Sequence, residues 1–268
     1  MTGAGMDVRW MFHATAMVRD YEAALAPLVR LFGARVLHDN VVEDPGIGRR
    51  GGMTWLGDGS LEIGEPAGPD SPVVPFLERF GGGMHSVGLQ VGDADAAKEH
   101  LASVGVRIAS EPRPGLFFTH PADTAGVLLE WNANPQDDDP RWGAEIPGGP
   151  DPVVGVERLA FVGALVRDPH ADAKRLAEVL DLPVTFDADG APHHGAIVAA
   201  VSLGDCSLAL SPLEGSGQPR PRVISLGLLV HDLPAAEAAL AGEPIASLPF
   251  PIVLTDGLLP GDPRDPDR

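Results

Sequence analysis

Cysteine is almost absent from this sequence, since Cys206 is the only one in 268 residues. A single cysteine excludes a disulfide framework and a zinc site built from several thiolates. We expect Cys206 to pack as a small apolar side chain. Long apolar runs are missing as well, because no stretch approaches the roughly 18 consecutive apolar residues that a membrane-spanning helix needs.

Positive charge is the next deficit. Lys and Arg together number 19 against 38 Asp and Glu, which gives a formal net charge of −19. Nucleic acids and anionic membranes both bind positive surfaces, so this balance argues against either as a partner and leaves small molecules. The N-terminal segment lacks a charged region followed by a long apolar one, and we therefore expect a cytoplasmic protein.

Glycine and proline, in contrast, are plentiful, with 33 and 27 residues, and they are clustered. The densest cluster is also polar and acidic, and we interpret residues 135–155 as a linker. It separates two predicted modules, residues 8–134 and 156–258. The Pro/Asp-rich tail, residues 259–268, is predicted to be disordered.

The two halves of the chain resemble each other, which predicts a repeated module. Three pairs of segments match in the same order: "HATAMVRD" with "FVGALVRD", "LGDGSLEIGEP" with "LGDCSLALSP", and "SVGLQVGD" with "SLGLLVHD". Chance could produce one such pair, whereas three in order indicate two related modules.

Each half divides again into two similar units. The first reads as a short strand, Asp20 as a helix N-cap, an amphipathic helix that ends at Gly33, and then strands joined by turns. The second reads the same way, with Asp93 or Asp95 as the cap. The sequence therefore predicts a β-α-β-β-β unit that occurs four times.

The first half resembles the vicinal oxygen chelate superfamily, which includes glyoxalases, methylmalonyl-CoA epimerases, bleomycin-resistance proteins and extradiol dioxygenases. The stretches that carry the likeness are "FHATAMV", "SLEIG", "GGGMHSVGLQVGDADAAKEHLASVGVRI", "EPRPG" and "THPADTAGVLLEW", and the epimerase-like branch is especially similar. The resemblance implies an α+β fold in which tandem β-α-β-β-β units form two modules with curved mixed sheets.

The resemblance also implies a divalent metal (Zn, Fe, Mn, Co or Ni) with one ligand from each of four strands of the N-terminal module. Mapped onto this sequence, the ligands are His13, Glu62 and Glu130. At the fourth position Ser86 stands where the family has a histidine, and His85 precedes it. Side chains of adjacent strand residues leave opposite faces, so strand register favours Ser86 as the ligand. The alternative is a local bulge that turns His85 inward, and His85 is also the candidate catalytic residue.

In the second half, Phe161 replaces His13, Ala209 replaces Glu62, Ser225 matches Ser86 and Ile224 matches His85. We therefore predict a degenerate module with a structural role. Contacts between this module and a substrate are the alternative that the sequence leaves open.

Three other groups of polar residues have simpler explanations. His120 is expected to fix a turn, and His193 and His194 are expected to lie in a solvated loop. Arg49 and Arg50 either bind an anionic group of a substrate or belong to an exposed turn.

The functional alternatives remain three: a metal-dependent enzyme of isomerase, epimerase, lyase or dioxygenase type, a metal-free ligand-binding protein, and a protein with a vestigial site. Epimerisation needs a base that removes a proton next to a carbonyl group. The stretch "GIGRRGGMTWLG", where epimerase-like relatives place a carboxylate, contains neither Asp nor Glu. A monomer or a homodimer is compatible with the sequence.

Overall fold

The protein consists of two modules that each contain a mixed β-sheet and helices. The computed structural model describes residues 6–38, 42–44, 48–137, 139–188, 193–194, 196–245 and 248–265. The elements of the first module are β1 (Val8–Met17), α1 (Tyr21–Phe32), β2 (Arg35–Val36), β3 (Val42–Asp44), β4 (Arg49–Leu56), β5 (Gly59–Pro66), α2 (Val74–Phe80), β6 (Gly83–Val91), α3 (Ala94–Ser103), β7 (Ile108–Arg113), β8 (Leu116–Thr119) and β9 (Leu128–Asn132).

The first sheet has the strand order β2-β4-β5-β1-β6-β9-β8-β7, with β3 paired to β4. Strand β1 is parallel to β5 and antiparallel to β6, and β6 is parallel to β9. The central strands therefore come from both units of the module, which confirms the predicted mixed sheet.

Local sequence signals set the ends of the helices. The Asp20 carboxylate accepts a hydrogen bond from the Ala23 amide at the start of α1, and Gly33 ends this helix with a φ of 71°. Helix α3 is capped by Asp93, which accepts from the amide of Asp95. These short polar side chains satisfy amides that lack a partner within the helix, so they fix where each helix begins.

The second module repeats this plan in a shorter form. Its elements are β10 (Val156–Val166), α4 (Pro169–Leu180), β11 (Val184–Asp187), β12 (Ala199–Ser202), β13 (Ser207–Pro212), β14 (Arg222–Val230), α5 (Leu233–Leu240) and β15 (Ile252–Thr255). The sheet order is β11-β12-β13-β10-β14-β15. The prediction of four complete units is wrong for the last one, because β15 is the only strand after α5 in the described ranges. The segment from α5 onward is too rich in proline and glycine to supply two further strands.

The backbones of the two modules match down to their irregularities. In both, the first strand pairs with the strand that opens the second unit, and this pairing slips at three places. The shifts lie between Val8 and Trp10, Met11 and His13, and Thr15 and Ala16 in β1, and between Val156 and Arg158, Leu159 and Phe161, and Gly163 and Ala164 in β10. Equivalent residues of the two modules therefore occupy equivalent positions, as the matched segments predict.

The modules dock through their Gly-Asp turns. Asp58, in the turn between β4 and β5, accepts a hydrogen bond of 2.9 Å from the Leu159 amide of β10. In return Asp205, in the turn between β12 and β13, accepts one of 2.7 Å from the Met11 amide of β1. Cys206 lies buried beside Met11 in the apolar core, as predicted, with its sulfur 3.7 Å from the thioether sulfur.

Two arginines reinforce this docking, and we call Arg141 and Arg264 the arginine clamps. Arg141 pairs with Asp139 at 2.6 Å and donates to the carbonyls of Met11 (2.5 Å) and Phe12 (2.6 Å). It also reaches Asp205, the acid of the opposite module's turn, at 3.2 Å.

The second clamp repeats these contacts from the C-terminal segment. Arg264 pairs with Asp262 at 3.0 Å and donates to the carbonyls of Leu159 and Ala160, both at 2.9 Å. It also reaches Asp58 at 3.3 Å. Each clamp thus ties one module's first strand to the other module's turn.

The clamps correct two predictions. Residues 135–155 do connect the modules, but Asp139 within them is buried and Arg141 is held by the contacts above. The prediction of a disordered tail is wrong for residues 259–265, where Leu259 and Asp262 are completely buried. The composition of this segment suggested disorder. However, Leu259 and the Asp262–Arg264 pair pack against the second module. None of the helices in the described ranges combines the length and apolarity that a membrane span requires.

Candidate functional site

One row of side chains crosses three strands of the first sheet. Thr15 of β1 is paired with Glu62 of β5 on one side and with Ser86 of β6 on the other. Residues that are paired directly across strands share a face of the sheet. Glu62 and Ser86 therefore lie on one face, with Thr15 between them.

A second row lies on the same face, one pleat away. Gly88 of β6 is paired with His13 of β1 and with Glu130 of β9. Gly88 has no side chain, and a Cβ atom there would lie only 2.9 Å from His13 Nε2. The glycine thus opens the space in which the imidazole reaches toward Glu130. We call the face that carries His13, Glu62, Ser86 and Glu130 the first cup.

The imidazole of His13 lies between the two carboxylates. Its Nε2 is 3.5 Å from an oxygen of Glu62 and 3.5 Å from an oxygen of Glu130. His13 and Glu130 are each only 2% exposed. Burial by itself lowers the pKa of His13, but the carboxylates, Glu130 foremost, outweigh burial, so this pKa is raised above its ordinary value of 6.5.

Arg49 forms an ion pair with Glu62, the other carboxylate of the first cup. Its Nη2 lies 2.5 Å from both oxygens of Glu62, and its Nε lies 3.2 Å from one of them. Arg49 is buried rather than part of an exposed turn. Burial would raise the pKa of Glu62, but Arg49 first and His13 second lower it to about 2. Sequence reasoning missed this ion pair because the two residues are adjacent only after β4 and β5 pair.

The donor atoms of His13 and Glu130 fit a divalent cation. His13 Nδ1, His13 Nε2 and Glu130 Oε2 are buried and have no hydrogen-bond partner within the described chain. Such atoms are costly to bury, and a cation bound to both side chains would satisfy His13 Nε2 and Glu130 Oε2. Ligands at about 2.0 to 2.2 Å from one ion lie about 3 to 3.5 Å apart, which is the spacing found here.

Glu62 fits less well, because Arg49 already occupies both of its oxygens. Within the residues that the structure describes, no group of three or more His, Cys, Asp or Glu side chains is arranged to hold a metal ion. His13 and Glu130 are therefore available to a metal as they stand, whereas Glu62 becomes a ligand only when Arg49 moves away.

His85 and Ser86 both turn toward the first cup because β6 is bulged. Ser86 pairs with Thr15 and Met84 with Ala16, so His85 is the extra residue between two regular pairs. The His85 and Ser86 side chains approach each other, with 3.2 Å between Nδ1 and Oγ. The structure thus places Ser86 in the row that strand register predicts. It also contains the bulge that was the alternative explanation for His85. Which of the two binds a metal stays a prediction.

His85 also forms part of the wall of a cleft between the modules. Its ring meets that of Phe76 edge to face, with 4.8 Å between the centroids. Burial first, and then the positive charges of Arg49 and Arg222, lower the pKa of His85 to about 4. At neutral pH the ring is therefore uncharged and presents a nitrogen lone pair.

The second module has an apolar cluster where the first has its cup. Phe161 lies over Gly227 as His13 lies over Gly88, and Ala209 pairs with Gly163 as Glu62 pairs with Thr15. Phe161 and Ala209 pack in a cluster of buried apolar side chains that includes Leu259. The predicted loss of a polar site agrees with this packing.

The remaining sequence candidates lie outside the first cup. His120 accepts a hydrogen bond from the Ala122 amide and caps a short 3-10 turn, as expected. His193 and His194 are half-buried beside Phe186 and Phe161 rather than in a freely solvated loop. Arg50 pairs with Glu65 on the side of the sheet away from Glu62.

Comparisons with known proteins identify relatives of the first module. The family model described as "Glyoxalase/Bleomycin resistance protein/Dioxygenase superfamily" matches residues 12–120. Human mitochondrial methylmalonyl-CoA epimerase is 32% identical over 138 residues, which are 48% of this chain and 77% of that protein. The ethylmalonyl-CoA/methylmalonyl-CoA epimerase of Cereibacter sphaeroides is 32% identical over 126 residues, 44% of this chain and 92% of that protein.

A solved structure extends the similarity to both modules. A mutant of 4-hydroxymandelate synthase from Streptomyces coelicolor superposes with a TM-score of 0.62 at 18% identity and covers 87% of this chain and 75% of that chain. At this identity the likeness concerns the fold, and it supports the tandem arrangement of the two modules.

Proposed function

Because the chain belongs to the glyoxalase/bleomycin resistance protein/dioxygenase superfamily, we propose that it is an enzyme that acts on a small molecule with a divalent metal ion in the first cup. The observation that carries the proposal is the facing pair of His13 and Glu130. Both are buried, and their facing atoms have no hydrogen-bond partner in the described chain. Burial of an imidazole and a carboxylate costs more than their 3.5 Å contact is expected to return, so a bound ligand explains the pair better than stability does.

His13 Nε2 and Glu130 Oε2 would hold the metal, with Glu62 as the third ligand after it exchanges Arg49 for the ion. Such an ion, when bound, supplies Lewis-acid polarisation of a substrate oxygen. Thr15 supports Glu62 with a hydroxyl 3.4 Å from one of its oxygens. Arg49, once released, is a cation beside the site that can pair with an anionic group of the substrate.

The reaction type depends on which side chains near the first cup can accept or donate a proton. The residues of β4 that share the face of Glu62 include Arg49, Gly51 and Met53, and none of them is acidic. A carboxylate base on β4 is therefore missing, although the matched relatives are epimerases by name. His85 is the uncharged imidazole that stands between the cup and the cleft. We therefore favour an isomerase, lyase or dioxygenase type of reaction, with His85 as the candidate for proton transfer, over epimerisation by a β4 carboxylate.

A metal-free binding site is the second candidate, and one observation favours it. Arg49 already neutralises Glu62, so part of the charge that would recruit a metal is balanced from within the chain. A cup in this state would hold a neutral ligand through hydrogen bonds to His13 and Glu130.

Metal analysis separates the two candidates. We expect protein purified without chelators to contain close to one metal ion per chain, and the His13→Ala and Glu130→Ala variants to contain almost none. Glu111→Gln, an exposed carboxylate distant from the cup, serves as the control and should keep its metal. Metal-free wild-type protein that also takes up no added Zn²⁺, Mn²⁺, Fe²⁺, Co²⁺ or Ni²⁺ would reject the proposal in favour of the metal-free site.

Two further variants test the role of Arg49. Arg49→Met removes the competing cation and should raise metal affinity, whereas Glu62→Gln should lower it. Unchanged affinity in Glu62→Gln would remove Glu62 from the ligand set. Reduced affinity in Arg49→Met would mean that Arg49 supports the metal site rather than competes with it.

A further inference from the structure

The cleft between the modules has a volume of about 790 Å³. Its wall in the first module includes Phe76, His85 and Leu128, and its wall in the second module includes Arg167, Arg220 and Arg222. Leu128 is paired with Ser86, so this end of the cleft adjoins the first cup. One wall is thus mainly apolar, and the other carries three guanidinium groups.

Arg222 is fixed in place before any ligand arrives. Its Nη2 donates to the Met84 carbonyl at 2.9 Å, and its Nε donates to the Val223 carbonyl at 3.2 Å. The guanidinium carbon lies 4.3 Å from the ring centre of Phe80 and 5.1 Å from that of Phe76. Two aromatic rings and two carbonyls therefore orient this cation, and its Nη1 makes no hydrogen bond to any described residue.

The arginines of the cleft lack the counter-ions found elsewhere in this chain. Acidic residues outnumber basic ones by two to one, yet no carboxylate of the described residues forms an ion pair with Arg167, Arg220 or Arg222. Asp172 lies in the same cleft and accepts a hydrogen bond from the Asp168 amide at 3.0 Å, so the cleft contains three guanidinium groups against one carboxylate. Half-buried Arg222 has carbonyl and aromatic contacts but no counter-ion among the described residues, so its charge stays available to an anion.

We propose that this arginine-lined cleft binds the anionic group, a carboxylate or a phosphate, of a substrate whose reacting end lies in the first cup. The inference rests on the proposed function in one respect, since it takes the cup as the place of reaction. Phe76 and Leu128 then contact the apolar middle of the substrate, and Arg222 binds the anionic end. The second module, which has no polar cup of its own, thereby selects the substrate for the first.

A purely structural role for Arg222, as a tie between β14 and β6, is the competing explanation. Arg167 and Arg220 distinguish the two, because both are exposed and neither makes a hydrogen bond or an ion pair with a described residue. Their removal leaves module docking intact but takes positive charge out of the cleft. Lys174 on α4 is likewise exposed, lies outside the cleft wall and provides a matched control for the loss of one positive charge.

The experiment compares two probes of nearly identical shape, phenylacetate and its neutral counterpart phenylacetamide, by titration calorimetry. The protein is first stripped of metal and dialysed free of chelator, so that a carboxylate cannot bind to a metal ion. We expect phenylacetate to bind at least about tenfold more tightly than phenylacetamide, because charge-assisted hydrogen bonds are stronger than neutral ones. Added salt should weaken the binding of phenylacetate only.

Variants show which residues cause the preference for phenylacetate over phenylacetamide. Arg222→Gln and the double variant Arg167→Gln/Arg220→Gln should each lose most of it, whereas Lys174→Gln should retain it. Equal affinity for both probes, no binding of phenylacetate, or an equal loss in Lys174→Gln would overturn the proposal. A loss confined to Arg222→Gln together with weakened docking of the modules would assign Arg222 the structural role instead. Because metal is absent throughout, these outcomes are independent of whether the first cup binds a metal.

Discussion

The two modules share a backbone but differ in what the equivalent face of the sheet contains. In the first, His13 lies over Gly88 and faces Glu130; in the second, Phe161 lies over Gly227 in an apolar cluster. The first strand pairs with the strand that opens the second unit in both modules, with bulges at equivalent places. A polar cup is therefore not a requirement of this fold, since only one of the two modules has one.

The difference also separates stability from function. The second cluster buries apolar side chains, which stabilises the folded state. The first cup buries an imidazole and a carboxylate that approach only to 3.5 Å and form no hydrogen bond within the described chain, so it contributes less to stability. Four experiments can break or sharpen this comparison, and they are given from the largest expected effect to the smallest.

Removal of an arginine clamp should have the largest effect. Arg264→Ala leaves the completely buried Asp262 without its cation and two carbonyls of β10 without their donor. We expect a loss of about 3 to 5 kcal/mol in the free energy of unfolding, measured by urea denaturation. Arg141→Ala should cost a similar amount, since its contacts are equivalent. A loss below about 1 kcal/mol in either variant would show that the two clamps do not share one role.

Transfer of the imidazole to the second module tests whether its cluster must stay apolar. Phe161→His places a polar ring among apolar neighbours, and we expect it to lower the free energy of unfolding by about 2 to 4 kcal/mol. Phe161→Leu keeps the site apolar and should cost less than about 1.5 kcal/mol. Equal losses in the two variants would mean that shape, rather than polarity, governs this cluster.

Gly227 and Gly88 occupy equivalent positions in the two modules, and substitution of each should have a smaller effect on stability. A Cβ atom on Gly227 would lie 2.3 Å from the Phe161 ring, and one on Gly88 would lie 2.9 Å from His13 Nε2. We expect Gly227→Ala to destabilise the protein by about 1 to 3 kcal/mol, because a packed cluster resists added volume. Gly88→Ala should cost less in thermal unfolding but displace the imidazole and reduce metal content. The reverse ranking of stabilities would contradict the view that the first cup has spare room.

The stability that Asp205 contributes should depend slightly on pH. Burial raises the pKa of Asp205 above its ordinary value of 3.8 despite Arg141. A raised folded-state pKa contributes stability at low pH that is lost as pH rises through that pKa. The difference in unfolding free energy between wild type and Asp205→Asn should therefore decrease as pH rises from about 3.8. A difference that stays constant between about pH 3 and pH 6 would argue against a raised pKa of Asp205.

Much of the fold follows from local patterns in the sequence. Asp20, Asp93 and Gly33 mark the helix ends because short-range capping determines them. The two modules and the equivalence of Glu62 with Ala209 follow from matched segments, since a repeated pattern produces a repeated register. The candidate site residues on β1, β5, β6 and β9 came from family resemblance rather than from any local signal.

Other features could not be read from local patterns. Composition marked residues 135–155 and 259–268 as linker and tail, yet both contain an Asp-Pro-Arg triplet whose arginine clamps the opposite module. The repetition of that triplet was the available signal. No comparable sequence signal indicated the ion pair of Arg49 with Glu62.

The sequence alone determined the two-module plan, the ends of the helices and which module carries polar groups, because these depend on residue order over short distances. The tertiary structure decided how those polar groups are used. Pairing of β4 with β5 set Arg49 against Glu62, and a bulge in β6 brought His85 beside Ser86. Docking of the modules placed Arg222 across a cleft from Leu128. Each of these contacts joins residues whose distance depends on the packing of the whole chain, which no local pattern encodes.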